Sequence, residues 1–179
     1  RSGTSMMMRM LDAGGLPLVS DQVRQADTDN PVGYYEHQAI KRLPYEDSSW
    51  LKNCQGKAIK IVSPLLKHVP TDMPARIIFM HREMKEILLS QNKMLQRCNA
   101  AEQQSQDEKL RLSYTKHLKD IELWLDQCKL FSTLKVCFND VIESPLEHAH
   151  LVNDFLGGGL PANKMAITVD KSLYRQRID

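Results

Sequence analysis

Arg1-Ser2-Gly3-Thr4-Ser5-Met6-Met7-Met8-Arg9-Met10-Leu11-Asp12-Ala13-Gly14-Gly15 opens the chain, and its reading decides the fold. Met6, Met7, Met10 and Leu11 recur at the i, i+3/i+4 spacing of an amphipathic helix over 4–13. Gly14-Gly15 stops that helix. A turn opening straight into a helix presents backbone N–H groups and the positive end of a helix dipole, about half a charge. Gly3 lets backbone approach a ligand, Ser2, Thr4 and Ser5 add hydroxyls, and Arg1 adds a fixed cation. The stretch reads either as a phosphate or sulfate site or as an ordinary Ser/Thr cap. It is not a Walker A loop, because no lysine occurs before Lys41.

Working outward, Leu16-Pro17-Leu18-Val19 is a short extended segment and 22–33 is a polar loop. Tyr34 to Leu43 reads as helical, and Tyr45 to Asn53 as a second short helix. Lys57 to Val62 reads as a strand broken by Ser63-Pro64, and Arg76 to His81 as another. Arg82 to Cys98 is a helix with Met84, Ile87, Leu88, Met94 and Leu95 on one face. After a polar loop at 99–107, Leu110, Tyr114, Leu118, Ile121 and Leu125 mark a long amphipathic helix. Thr133 to Ile142 is a third strand; Pro145 to Phe155 is a helix with three glycines past its end. Strands alternating with helices predict a parallel sheet covered on both faces, with ligands beyond the carboxyl ends of the strands.

The 179 residues fit one domain over 1–179, large enough to bury a real core. A net charge of +2, from 24 Lys+Arg against 22 Asp+Glu, is too balanced to point to nucleic acid. No apolar run approaches the roughly 20 residues that span a bilayer, so no stable membrane insertion is expected. Cys54, Cys98, Cys128 and Cys137 form no C-x-x-C pair and no zinc spacing, consistent with reduced thiols in a cytoplasmic protein.

Arg1-Ser2-Gly3-Thr4-Ser5, with Met10-Leu11-Asp12-Ala13, closely resembles the phosphosulfate loop of sulfotransferases that use 3′-phosphoadenosine 5′-phosphosulfate (PAPS). A second match supports the first. Sulfotransferases grip the cofactor's 3′-phosphate with an Arg at a strand end and a Ser in the next helix, and Arg82 and Ser90 stand at that spacing. Asn30-Pro31-Val32-Gly33-Tyr34-Tyr35-Glu36, the tail from Val169 to Arg177, and Phe138-Asn139-Asp140 are looser similarities, the first two to a bacterial branch of the family.

The resemblance implies a three-layer α/β/α, P-loop NTPase-like sulfotransferase fold with a central parallel sheet. It also implies a strand, ending in Pro, immediately upstream of Arg1. PAPS would be the cofactor and 3′,5′-adenosine bisphosphate the product, with no metal. Arg1 would contact the bridging oxygen, Arg1 to Ser5 the phosphosulfate, and Arg82 with Ser90 the 3′-phosphate. Lys60 aligns with a lysine found near the sulfuryl group; from the residues alone it points either into a pocket or outward. The family's histidine position holds Val62 here, so Glu36, then Asp21, then His37 are the candidate bases. Arg175, with Arg177, either covers the 3′-phosphate or is an exposed tail. The acceptor would be a hydroxyl or amine of a small molecule, lipid or carbohydrate. Rival readings are a nucleotide kinase-like P-loop protein and a non-catalytic nucleotide-binding protein on the same fold.

Overall fold

The computed structural model describes residues 2–21, 23, 33–82 and 104–173. Arg1, the helix expected after Arg82, Ser90 and the tail with Arg175 lie outside the described residues.

The chain is mixed α/β. Helix α1 (Thr4–Ala13) forms where the methionine spacing places it and buries Met7, Met8, Met10 and Leu11. It ends at Gly14-Gly15, with Gly15 at φ 84° and the Leu16 N–H donating to Leu11 O. β1 (Leu18–Val19) follows, then α2 (Gln38–Arg42), a 3₁₀ turn (Ser49–Cys54), β2 (Ala58–Ile59) and a second 3₁₀ turn (Ser63–His68). β3 (Ala75–His81), α3 (Gln104–Gln127) and β4 (Phe131–Cys137) come next. The chain continues through α4 (Phe138–Glu143), α5 (Pro145–Phe155), α6 (Ala162–Ile167) and a last 3₁₀ turn (Lys171–Leu173).

Both strand pairs are parallel, as the alternation of strands and helices requires. β1 pairs with β2, Leu18 opposite Ala58. β3 pairs with β4 in unbroken register from Ala75 opposite Phe131 to His81 opposite Cys137. The period-2 rule sends alternate side chains to opposite faces. Ile78, Met80, Leu134 and Val136 pack with α1, α4, α5 and α6 around Met10, Val141, Val152 and Met165. Ile77, Phe79 and Phe131 pack the other way, against Ile121 and Leu125 of α3 and Leu66. The β3–β4 pair is thus covered on both faces. Burying these side chains stabilises the core by roughly 1.5–3 kcal/mol each.

Five expectations shift. The short helix expected over Tyr45 to Asn53 is a 3₁₀ turn over Ser49–Cys54. Helix begins at Gln104, inside the stretch expected as loop, because its Gln, Glu and Lys residues are good helix formers despite their polarity. The third strand stops at Cys137 and not Ile142; Phe138, Val141 and Ile142 bury at helical spacing, forming α4. Between Lys57 and Val62, only Ala58–Ile59 pairs in a ladder. The Tyr34–Leu43 helix is confined to Gln38–Arg42. His37 caps it, its ring Nδ1 accepting the Ala39 N–H at 3.2 Å. Upstream, Gly33 (φ 91°) and Tyr35 (φ 51°) take left-handed backbone that no helix continues through.

Candidate functional site

The site gathers at the start of α1. Gly3, at φ 88°, is the N-cap. The ordinary-cap reading of Ser2, Thr4 and Ser5 fails here: the cap residue has no side chain, and no side-chain cap bond is made. Two features require glycine. The left-handed φ is one. The other is space: a Cβ would collide with the Phe138 ring and lie 3.3 Å from Met80 Cε. On the side where a Cβ would stand, the space beside Gly3 is filled by Phe138.

Lys60 follows directly on β2, at the strand's carboxyl end. Its side chain is only 7% exposed. The ammonium donates to Ser5 Oγ at 3.0 Å and to Tyr34 O at 2.6 Å, with Glu36 Oε1 at 3.8 Å. It also lies 5.7 Å from the Tyr34 ring centroid. Of the two orientations open from sequence, Lys60 takes the inward one. A charge so far out of water needs partners, and the first turn of α1 and the 33–37 segment supply them.

That segment is pinned across the site. Ser20 Oγ and the Asp21 N–H both donate to Glu36 O, at 3.1 and 3.2 Å. The Glu36 carboxylate sits between Lys60 and Lys41, the latter at 3.7 Å. Glu36, Lys60 and Ser5, distant in sequence, are therefore neighbours. Asp21 lies beside them but works as a helix cap: Oδ2 accepts the Gln38 N–H at 2.5 Å and Oδ1 the Val23 N–H at 3.1 Å. These backbone donors, led by Gln38, lower its pKa below the usual carboxylate value. His37 stacks on Trp50 at 5.4 Å, its Nδ1 already committed to Ala39.

Arg82 leaves the end of β3, and Phe138 leaves the end of its partner β4. The Arg82 guanidinium carbon lies 4.4 Å from the Phe138 ring centroid. The ring touching Gly3 thus also carries Arg82, joining the first turn to the second sequence match. Arg1, Ser90 and Arg175 lie outside the described residues.

Two side-chain groups nearby have no motif to announce them. Ser63 Oγ and His117 Nε2 lie 3.0 Å apart, tying α3 to the segment after β2. His81 Nε2 is buried, 3.7 Å from Glu122 Oε1, and burial lowers its pKa. The polar periodicity of α3 marks His117 only as a residue flanking the apolar stripe; its partner is set by how α3 docks. Val62 is half exposed.

Among the described residues, no group of three or more His, Cys, Asp or Glu is arranged to hold a metal. Cys54, Cys128 and Cys137 are free thiols. No described helix is long and apolar enough to cross a membrane. No protein-family model matches the chain, and no match is found among curated proteins or solved structures.

Proposed function

We propose that the chain is a PAPS-dependent sulfotransferase of the bacterial branch, working in the cytoplasm. It would move a sulfuryl group in line onto a hydroxyl or amine of a small-molecule, lipid or carbohydrate acceptor. In this reading the two parallel strand pairs belong to one central sheet of a three-layer α/β/α, P-loop-like fold. The observation that carries the reading is the inward Lys60 ammonium, hydrogen-bonded to Ser5 in the first turn of α1.

The donor set fits the cofactor. A phosphosulfate and a 3′-phosphate are anions. The site offers a helix N-terminus led by a left-handed Gly3, a largely buried lysine and a ring-supported arginine. PAPS, when bound, supplies the sulfuryl group and the phosphate that leaves with its electrons. Lys60, Ser5 and the first-turn backbone then hold the phosphosulfate end and stabilise charge developing there. Arg82 holds the 3′-phosphate end. Glu36, beside Lys60, accepts the acceptor's proton on a carboxylate oxygen. Asp21 keeps the α2 cap, which leaves Glu36 as the first choice of base.

Thermal stability with added ligand tests the reading. At about 100 times its dissociation constant, 3′,5′-adenosine bisphosphate stabilises the fold by roughly 2.7 kcal/mol. Arg82→Ala loses that increment. Stabilisation by ATP with Mg²⁺ alone refutes the proposal in favour of a kinase-like protein. Bisphosphate binding without transfer to any acceptor in a broad panel identifies a non-catalytic nucleotide binder.

A further inference from the structure

We infer that Phe138 is a positioning residue. Its ring sets Arg82 against the first turn of α1, so that one ligand reaches both cationic halves of the site. The inference rests on the sulfotransferase reading and names a residue that the reading does not use. Phe138 enters the site through strand register. His81 and Cys137 are the last opposed pair of β3 and β4, so Arg82 and Phe138 are the residues that directly follow the two strands. Adjacent strands lie about 4.8 Å apart, which brings the two side chains together as the strands end.

The ring is 7% exposed. The Arg82 guanidinium lies over it, 4.4 Å from the centroid. Its Cδ2–Cγ edge fills the space where a Cβ of Gly3 would stand. A flat ring in contact with both groups fixes their separation and holds the planar guanidinium by cation–π attraction. A branched aliphatic chain would fill part of the volume but offer no face to the guanidinium. The expected role is therefore selective: Phe138 tunes the grip on the 3′-phosphate and leaves the first turn's grip on a 5′-phosphate intact.

Calorimetric titration of the full chain with 3′,5′-adenosine bisphosphate and with 5′-AMP tests this. The wild type prefers the bisphosphate by about tenfold or more, as a charge-assisted hydrogen-bonded contact implies. Phe138→Leu weakens the bisphosphate by about tenfold and 5′-AMP by less than about twofold, collapsing the preference. Phe138→Tyr retains it. In Arg82→Lys the preference is lost, and adding Phe138→Leu removes little more, because the two act as one unit. Should the leucine variant fail to fold, Phe138→Met, closer in length and still without a ring face, carries the same comparison. A preference unchanged in the ringless variants, or both ligands weakened equally, overturns the positioning role while leaving the sulfotransferase reading standing. A wild type that binds neither nucleotide overturns both.

Discussion

Lys60→Met removes a charge while keeping a chain of similar length. The cost follows from what the ammonium touches. Tyr34 O loses its 2.6 Å donor, and losing a charged donor to a carbonyl costs about 1.5–3 kcal/mol. Ser5 Oγ loses a 3.0 Å partner but is a hydroxyl that can turn to another. Breaking a fully buried ion pair costs about 3–5 kcal/mol. Glu36, however, is 19% exposed and keeps Lys41 at 3.7 Å, so that loss is much smaller. The sum is a destabilisation of about 2–3 kcal/mol, weighted toward the carbonyl. At this chain length each kcal/mol moves the melting midpoint by roughly 2–4 °C, so a drop of roughly 4–12 °C is expected. Urea unfolding of Lys60→Met, Glu36→Gln and the double variant measures it. The double variant costs less than the sum of the singles, because each single already removes the contact between the two side chains. A Lys60→Met variant within about 0.5 kcal/mol of wild type refutes the inward, load-sharing lysine.

Gly3→Ala meets both a left-handed φ and the Phe138 ring, and loses about 1–3 kcal/mol in thermal melts; a midpoint equal to wild type refutes the packing argument. The pKa of His81 is lowered chiefly by burial, with Glu122 opposing and Lys135 reinforcing, so folding favours its neutral form. The unfolded chain therefore binds more protons, and stability contributed by this group is full above about pH 6.5 and lost as pH falls below it. His81→Gln flattens that slope in denaturant titrations between pH 7.5 and 5.5; an unchanged slope overturns the assignment. Asp21→Ala lowers the melting midpoint by removing the acceptor of the Gln38 N–H in the first turn of α2, and Asp21→Asn restores most of it. Sulfuryl transfer surviving in Asp21→Asn and lost in Glu36→Gln assigns the base to Glu36; the reverse assigns it to Asp21. Ser63→Ala and His117→Ala each cost about 0.5–1.5 kcal/mol in urea unfolding, and the double variant little more than one of them; full additivity refutes a bond between the two.

Where one periodicity dominates, sequence and structure agree. The methionines of α1, the Ile-Ile-Phe run of β3 and the Pro-led α5 fall where their spacing places them. Disagreement falls where two periods overlap. Thr133 to Ile142 is rich in Val, Phe and Ile, which suit a strand, yet Phe138, Val141 and Ile142 also fit a helix face, and packing on α1 and α5 decides for helix. The 33–37 segment defeats a helix reading because Gly33 and Tyr35 adopt left-handed backbone, which Tyr35 does not signal. The candidate site divides similarly. Ser-Gly-Thr and Arg82 are singled out in the sequence by resemblance alone. Lys60's direction, Asp21's cap and the Phe138 link depend on tertiary contacts that no local spacing encodes.

The unslipped pairing of β3 with β4 makes each strand a length gauge. Seven residues from Ala75 and seven from Phe131 reach the same finishing line, where the chain releases Arg82 and Phe138 side by side. A one-residue deletion inside either strand would preserve its hydrophobic composition, turn its buried faces inside out, and part the arginine from its ring. Insertions in the connecting segments would leave that alignment untouched. Tolerance to changes of length, rather than of residue type, should therefore fall sharply at Ala75 and Phe131 and recover beyond the helix that Phe138 begins.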